Sequence, residues 1–336
     1  MKNISDFEMP LVLKDFLNYL QTIKGKSVNT VLVYFYDLRL FFRVLKIEYK
    51  LADEKAKSDI ELFNKIDIAD VGIDLIKKVS LSDLYSFMSF VSNYRDNTSH
   101  ARARKVASLK SFFNYLHNKA RLISSNPASE LESPKIVKRL PKYLNIEESK
   151  QLLSSVSGKY PERDFAIITL FLNCGMRLSE LVGLNISNFK DNQLTVIGKG
   201  DKERTIPLNN ACLQALDAYM EPDKRPRDGV KDRDALFLSE RKQRISKESV
   251  QKIVKKYIRD AGLDPQRYST HKLRHTAATL MYRYGNVDIR TLQELLGHES
   301  IATTEIYTHL GKQQLKDAVD SNPLADFKRT SNDKNN

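Results

Sequence analysis

Apolar residues recur at helical spacing through most of the chain. Leu11, Leu13, Phe16, Leu17 and Leu20 mark one helix from Pro10 to about Lys24. Ser27 caps a longer helix through Leu45, dense in Leu, Phe, Tyr and Val. Ser80 or Ser82 opens a helix through Tyr94, and Thr98 or Ser99 opens another to about Lys119. Residues 46–80 are more charged, with short apolar stretches that suit one or two short helices. Pro127, Pro134 and Pro141 then break the pattern, with Lys135, Lys138 and Arg139 between them. Proline removes backbone donors and biases its neighbours away from helix, so 126–143 reads as a linker between two domains.

Beyond Leu144 the helical period resumes. Asn145 caps a helix with Glu147 and Glu148 in its first turn, and Pro161 opens the next through Leu172. A short helix spans about Leu178 to Leu184. The period then changes from 3.6 to 2. QLTVIG and ERTIPL read as two strands around a tight turn that holds Gly198, Lys199 and Gly200. Helices follow at about 209–220, 246–260, 270–284, 288–296 and 300–310, with Gly262, Gly285 and Gly297 where C-terminal caps belong. The fold class is mainly α in two domains: a helical N-terminal domain, 1–125, and a mostly helical C-terminal domain, 144–325, with a small antiparallel sheet. Residues 326–336 read as a disordered tail.

Composition sharpens this picture in one respect. The chain of 336 residues carries 55 Lys and Arg against 42 Asp and Glu, a formal net charge of +13. Such an excess favours a polyanionic partner, most simply nucleic acid. The expected phosphate contacts are Arg102, Arg104, Lys105 and Lys110 on the Ser99 helix, Lys138 and Arg139 in the linker, and Lys202 and Arg204 on the hairpin. About ten extended residues reach roughly 30 Å, enough for the basic linker to cross a major groove about 12 Å wide. No uncharged apolar run is long enough to span a bilayer, and the N-terminal residues lack the apolar core of a signal peptide. Cys174 and Cys212 lack metal-ligand spacing, and Cys174 lies in an apolar run as a buried thiol would. The expected location is a reducing cytoplasm, at the nucleoid.

Four of the six histidines fall between His271 and His309, in HKLRHTAAT and LLGHESIATTEIYTHL. Arg274 shares a helical face with His271, and Tyr307 follows nine residues after His298. Arg grips phosphate in a fork, His carries a proton, and Tyr can attack, so the set suits phosphoryl chemistry. Taken singly, each part has an ordinary explanation. Arg177 pairs with Glu180 at helical spacing, Lys199 is turn chemistry, and Tyr307 is one of 15 tyrosines. His271 and His275, four apart, have neither an intervening Glu nor a third ligand, so no metal and no cofactor is expected. His275 reads as a packed residue or a support for the groups in front of it, and Tyr282 and Tyr284 are set aside as nucleophiles because Leu280, Met281 and Tyr282 read as core packing.

Read in order, Arg177 in GMRLSEL, Lys199 in IGKGDKERTIPL, His271 and Arg274 in HKLRHTAAT, His298 in LLGHES and Tyr307 in TTEIYTHL resemble the catalytic set of the tyrosine recombinase (phage integrase) family. The likeness covers about 145–311, and its wording is most similar to Xer recombinases. Thr270 stands where Xer members have Pro, and residues 46–80 lengthen the first domain. The resemblance implies a core-binding domain before the linker and a catalytic domain after it. It implies site-specific strand exchange through a 3′-phosphotyrosine. Arg177, Arg274 and His298 would hold the phosphate, His271 would move the proton of Tyr307, and Lys199 would protonate the 5′ oxygen. It further implies double-stranded DNA with a specific site, and a homotetramer or heterotetramer on two duplexes. The segment after Tyr307, with Leu315, Val319 and Leu324, would dock on a neighbouring protomer.

Two roles remain open within that resemblance: dimer resolution of chromosomes or plasmids, and integration of a mobile element. A type IB topoisomerase shares the nucleophile and cations but needs no second site. A regulator without catalysis would have lost Tyr307 or an arginine, and a merely basic structural protein does not explain the ordered set.

Overall fold

The computed structural model describes residues 7–95, 97–136, 142–198, 202–285, 287–297 and 304. The chain divides into two compact units, Met1–Lys138 and Arg139–Asn336. No helix among the described residues is long and apolar enough to cross a membrane.

The first unit is helical. It holds α1 (Leu11–Asn18), continued by a π-helical turn over Tyr19–Ile23, then α2 (Val28–Glu48), α3 (Ile60–Lys65), α4 (Ile73–Lys77), α5 (Leu81–Asn93) and α6 (Ser99–Asn118). The caps fall where short polar side chains can take the first free amides. Ser27, Ser80 and Thr98 each accept from a backbone N–H one turn on. Phe16, Phe35, Phe41, Phe42, Phe112 and Phe113 form an aromatic core between α1, α2 and α6. The segment 46–80 belongs to this core, through Phe63, Ile68, Val71 and Ile76. Lys46 straps it to α2 by bonds of 2.8 Å to both Asp70 carboxylate oxygens. Ala128 and Leu131, in the first part of the expected linker, are buried in the same core. The division between units falls later, at Lys138 and Arg139, both outside the described residues.

The second unit is built around α8 (Pro161–Cys174), which is buried almost all round from Ala166 to Leu172. It packs against α7 (Ile146–Ser154), α10 (Asn210–Met220), α11 (Lys247–Asp260) and α12 (Thr270–Tyr284). The two cysteines meet here, Cys174 Sγ 3.7 Å from Cys212 Sγ, both buried and free. Next come α9 (Leu178–Gly183) and an antiparallel sheet of β1 (Phe189–Lys190), β2 (Gln193–Ile197) and β3 (Glu203–Pro207), in the order β1-β2-β3. The sequence pattern lacked β1, whose two residues are too few to show a period. The register pairs Leu194 with Ile206 and Val196 with Arg204. Leu194, Val196 and Ile206 face the core. The last described helix is α13 (Ile289–Leu296).

Two of the three expected glycine caps adopt the left-handed conformation, Gly262 at φ +70° and Gly297 at φ +63°. Gly285 ends α12 at φ −92° instead. A Cβ there would lie 2.7 Å from the Met281 carbonyl oxygen, so close backbone approach is what selects glycine. The expected helix at 300–310, the tail and the segment after Tyr307 lie outside the described residues.

Candidate active site

The site begins where α8 stops. Gly175 takes φ +59°, which turns the chain back and delivers Arg177 to the N-terminus of α9. A Cβ at Gly175 would sit 2.7 Å from a Leu296 methyl, so this turn also needs glycine for space. The Gly175 carbonyl accepts from Arg274 Nη1 at 2.7 Å. Arg274 projects from α12 and is buried. One turn of backbone thus presents one arginine and is held by another.

Glu180 lies at the centre of the cluster, its side chain 1 % exposed. It accepts four hydrogen bonds. Arg177 donates its backbone N–H to Oε2 at 2.7 Å and Nη1 to Oε1 at 2.8 Å. Arg204 donates Nη1 to Oε1 at 2.7 Å and Nη2 to Oε2 at 2.9 Å. Arg274 Nη1 lies 4.0 Å from Oε2. Burial pushes the Glu180 pKa up, but the hydrogen bonds from Arg204 and Arg177 outweigh it and hold the carboxyl below its ordinary value. The Arg177–Glu180 pair expected from spacing is present, but it is a buried junction and not a surface pair.

The same three arginines grip the end of α13. Arg204 Nε donates to the Leu295 carbonyl at 2.9 Å, Arg274 Nη2 to that of Leu296 at 2.7 Å, and Arg177 Nη2 to that of Gly297 at 2.6 Å. The last carbonyls of a helix lack intrahelical partners and carry its negative dipole end. Three consecutive ones are satisfied here by three guanidinium groups.

His271 stands in the first turn of α12, one turn before Arg274. It keeps an exposed edge. Partial burial, and then the charges of Lys272, Arg274 and Arg177, disfavour its protonated form and lower its pKa below the ordinary histidine value. Its Nε2 lies 3.1 Å from Nε2 of His275, so the two rings can share one proton. Of the two readings of His275, packing or support, this contact favours support. Arg177, Ser179, Lys247, Thr270, His271 and Arg274 line an open depression of about 490 Å³. A neutral histidine beside two arginines in such a depression can hold a phosphodiester and take a proton near it.

The structure therefore brings Arg177, His271 and Arg274 together. Lys199, His298 and Tyr307 lie outside the described residues. Their chain neighbours do not: Gly198 N–H bonds to the Lys202 carbonyl at 2.8 Å, closing the hairpin below Lys199, and Gly297 is held by Arg177.

The expected phosphate contacts divide. Arg104 and Lys110 are exposed, although Arg104 also donates to Asp37 at 2.8 Å and Lys110 to the Ser129 carbonyl at 3.3 Å. Lys202 is exposed. Arg102 donates to Ser92 Oγ at 2.6 Å. Lys105 departs from the expectation: its side chain is 6 % exposed and its ammonium lies 3.3 Å from buried Asp37. Arg204 departs too, because its fork is turned inward onto Glu180. Lys138 and Arg139 lie outside the described residues.

Sequence reasoning missed Glu180 as a hub, and it missed Lys247. A cation at the first position of α11 opposes the helix dipole, and that local conflict was the available signal.

Comparison with known proteins agrees with the geometry. Residues 142–314 match the phage integrase family. The chain is 58% identical over 316 residues to "Tyrosine recombinase XerC" of Caldanaerobacter subterraneus subsp. tengcongensis, covering 94% of this chain and 88% of that one. It is 33% identical over 311 residues to "Tyrosine recombinase XerD" of Listeria monocytogenes, covering 91% and 96%. Among solved structures its fold resembles the XerH site-specific recombinase bound to palindromic difH, with a TM-score of 0.65, 23% identity and coverage of 96% and 99%. With the arginines gathered on one carboxylate and kinship along nearly the whole sequence, the chain belongs to the phage integrase family of tyrosine recombinases.

Proposed function

We propose that the protein is a Xer-like site-specific recombinase that cuts and rejoins double-stranded DNA through a 3′-phosphotyrosine. The observation that carries this reading is the convergence of Arg177, Arg274 and His271 on one depression, with Glu180 anchoring Arg177 from behind. Identity of 58% to a protein named XerC favours dimer resolution over element integration as its role.

A phosphodiester resists nucleophiles because its oxygens repel them. Arg177 and Arg274 neutralise the non-bridging oxygens as charge builds in the transition state, with His298 as a third donor. A tyrosine hydroxyl has a pKa of about 10 and is mostly protonated near neutrality. His271, kept neutral by its surroundings, takes that proton as the Tyr307 oxygen bonds to phosphorus. The bond from phosphorus to the 5′ oxygen breaks, and Lys199 protonates the departing oxygen. The phosphotyrosine retains the bond energy, so the free 5′ hydroxyl of a partner strand restores the backbone without ATP.

Exchange between two duplexes calls for four protomers, identical or paired with a second recombinase. The stretch after Leu131, around the division at Lys138 and Arg139, serves as the linker between a core-binding and a catalytic domain, and the C-terminal segment docks between protomers. The protein acts at the nucleoid. A suicide DNA substrate tests the reading. Wild type is expected to form a covalent adduct in EDTA, and Tyr307→Phe to bind the site without one. An adduct formed by Tyr307→Phe, or a strict magnesium requirement, would overturn it.

A further inference from the structure

We propose that Arg204 is a positioning residue of the cleavage centre, acting on Arg177 through Glu180, and not a contact to the DNA backbone. The inference rests on the proposed use of Arg177 at the scissile phosphate.

The placement of Arg204 follows from the strand. On β3, Arg204 and Ile206 are two apart and share a face, and Ile206 is in the core. The Arg204 side chain is accordingly only 13 % exposed. Nη1 and Nη2 fork onto Glu180, and Nε bonds the Leu295 carbonyl. A phosphate would have to displace a buried carboxylate to reach this guanidinium.

The consequence falls on Arg177. An ionised carboxylate offers about four lone-pair sites. Glu180 fills them with the two Arg204 bonds, the Arg177 backbone N–H and a single side-chain bond from Arg177. Arg204 therefore denies Arg177 a fork of its own onto Glu180. Held by one bond there and one to Gly297, Arg177 keeps its remaining N–H groups for the depression it lines. Without Arg204, Arg177 can rotate to grip both carboxylate oxygens and withdraw from the phosphate. Gly297 fits this arrangement, since a Cβ there would lie 3.0 Å from Arg204 Nη1. Lysine, a point charge without a planar fork, cannot fill both oxygens and reach the Leu295 carbonyl.

The test compares wild type, Arg204→Lys and Arg177→Ala on a site-containing duplex. Arg204→Lys is expected to keep the Kd and the slope of log Kd against log salt, while single-turnover cleavage at saturating protein falls about 10- to 100-fold, as for a misplaced catalytic group. On a duplex with a methylphosphonate at the scissile position, one oxygen charge is gone, and the deficit relative to wild type should shrink at least several-fold. A salt slope smaller by about 0.9 with saturated cleavage unchanged would make Arg204 a phosphate contact. An equal deficit on both substrates would make its role merely structural. Either result overturns the proposal. If Arg177→Ala cleaves like wild type, the reading of the site itself fails; if it is inactive while Arg204→Lys is unimpaired, only this inference fails. Phenylglyoxal modification of wild type, mapped by mass spectrometry, gives a reading without any variant. Arg204 should be equally protected with and without DNA, and reactivity that DNA suppresses would overturn the proposal.

Discussion

Arg177 Nη2 donates to the carbonyl of Gly297 at 2.6 Å, across 120 residues of sequence. This bond joins the turn that follows α8 to the residue preceding His298. Two parts of the family motif, GMRLSEL and LLGHES, are thus joined by the protein's own hydrogen bond.

Acid should weaken the centre in two separable ways. His271 has a lowered pKa, and in the proposed mechanism it would serve as a base only when neutral. Single-turnover cleavage should fall with decreasing pH around a midpoint below the free-histidine value of about 6.5. His275→Ala, which removes the ring 3.1 Å from His271, should move that midpoint. A pH-rate profile of the two proteins checks this, and coincident curves would separate His275 from the chemistry.

Glu180 should govern stability at lower pH. Its folded pKa lies below its unfolded value. The unfolded chain therefore takes up the proton first as pH falls. The stabilisation is complete at neutral pH, declines below about 4.3 and is gone once the folded carboxyl is protonated. Glu180→Gln should cost about 3–5 kcal/mol at neutral pH, because it leaves buried arginine charge unmatched. Urea melts of variant and wild type from pH 7 to pH 3 should converge on the acid side.

Gly175→Ala should damage fold and chemistry together. The left-handed conformation costs a residue with a Cβ about 1–2 kcal/mol. The added carbon would also meet Leu296 at 2.7 Å. Denaturant unfolding should show a loss of at least that size. Cleavage at saturating DNA should drop as well, because Arg177 follows two residues later.

Lys110 and Lys105 should behave oppositely, though both lie on α6. Exposed Lys110 is free to lose to alanine with little effect on stability, but the salt slope of binding should diminish by about 0.9 if it meets a phosphate. Lys105→Ala should leave the slope alone and lower stability by about 1–3 kcal/mol, since it strips a partner from buried Asp37. Fluorescence titrations at several salt concentrations, with thermal melts, distinguish the two.

The helices of both units were legible because their apolar stripes and caps are local. Ser27, Ser80, Thr98 and Asn145 announce their helices within four residues. The small sheet was legible in part, since β2 and β3 alternate and β1 is too short to do so. Arg177, His271 and Arg274 were legible as chemistry because their residue types and order are unusual together. Their common anchor was not. Glu180 looks like any acid three residues from an arginine, and only folding brings Arg204 to its other side. The inward face of Arg204 was in fact written in the alternation with Ile206, but its charge argued for solvent. Charge is a global clue to partners and a poor guide to where one side chain points.

Three cationic groups crowded together would ordinarily repel and splay apart. Glu180 offsets part of that self-energy, and the end of α13 offsets more with oriented peptide dipoles, which carry no net charge and cannot leave. The fold can thereby hold a concentrated positive potential in an assembled geometry. In the proposed reaction little reorganisation would then remain at the moment of cleavage, and the rate advantage would be built during folding instead.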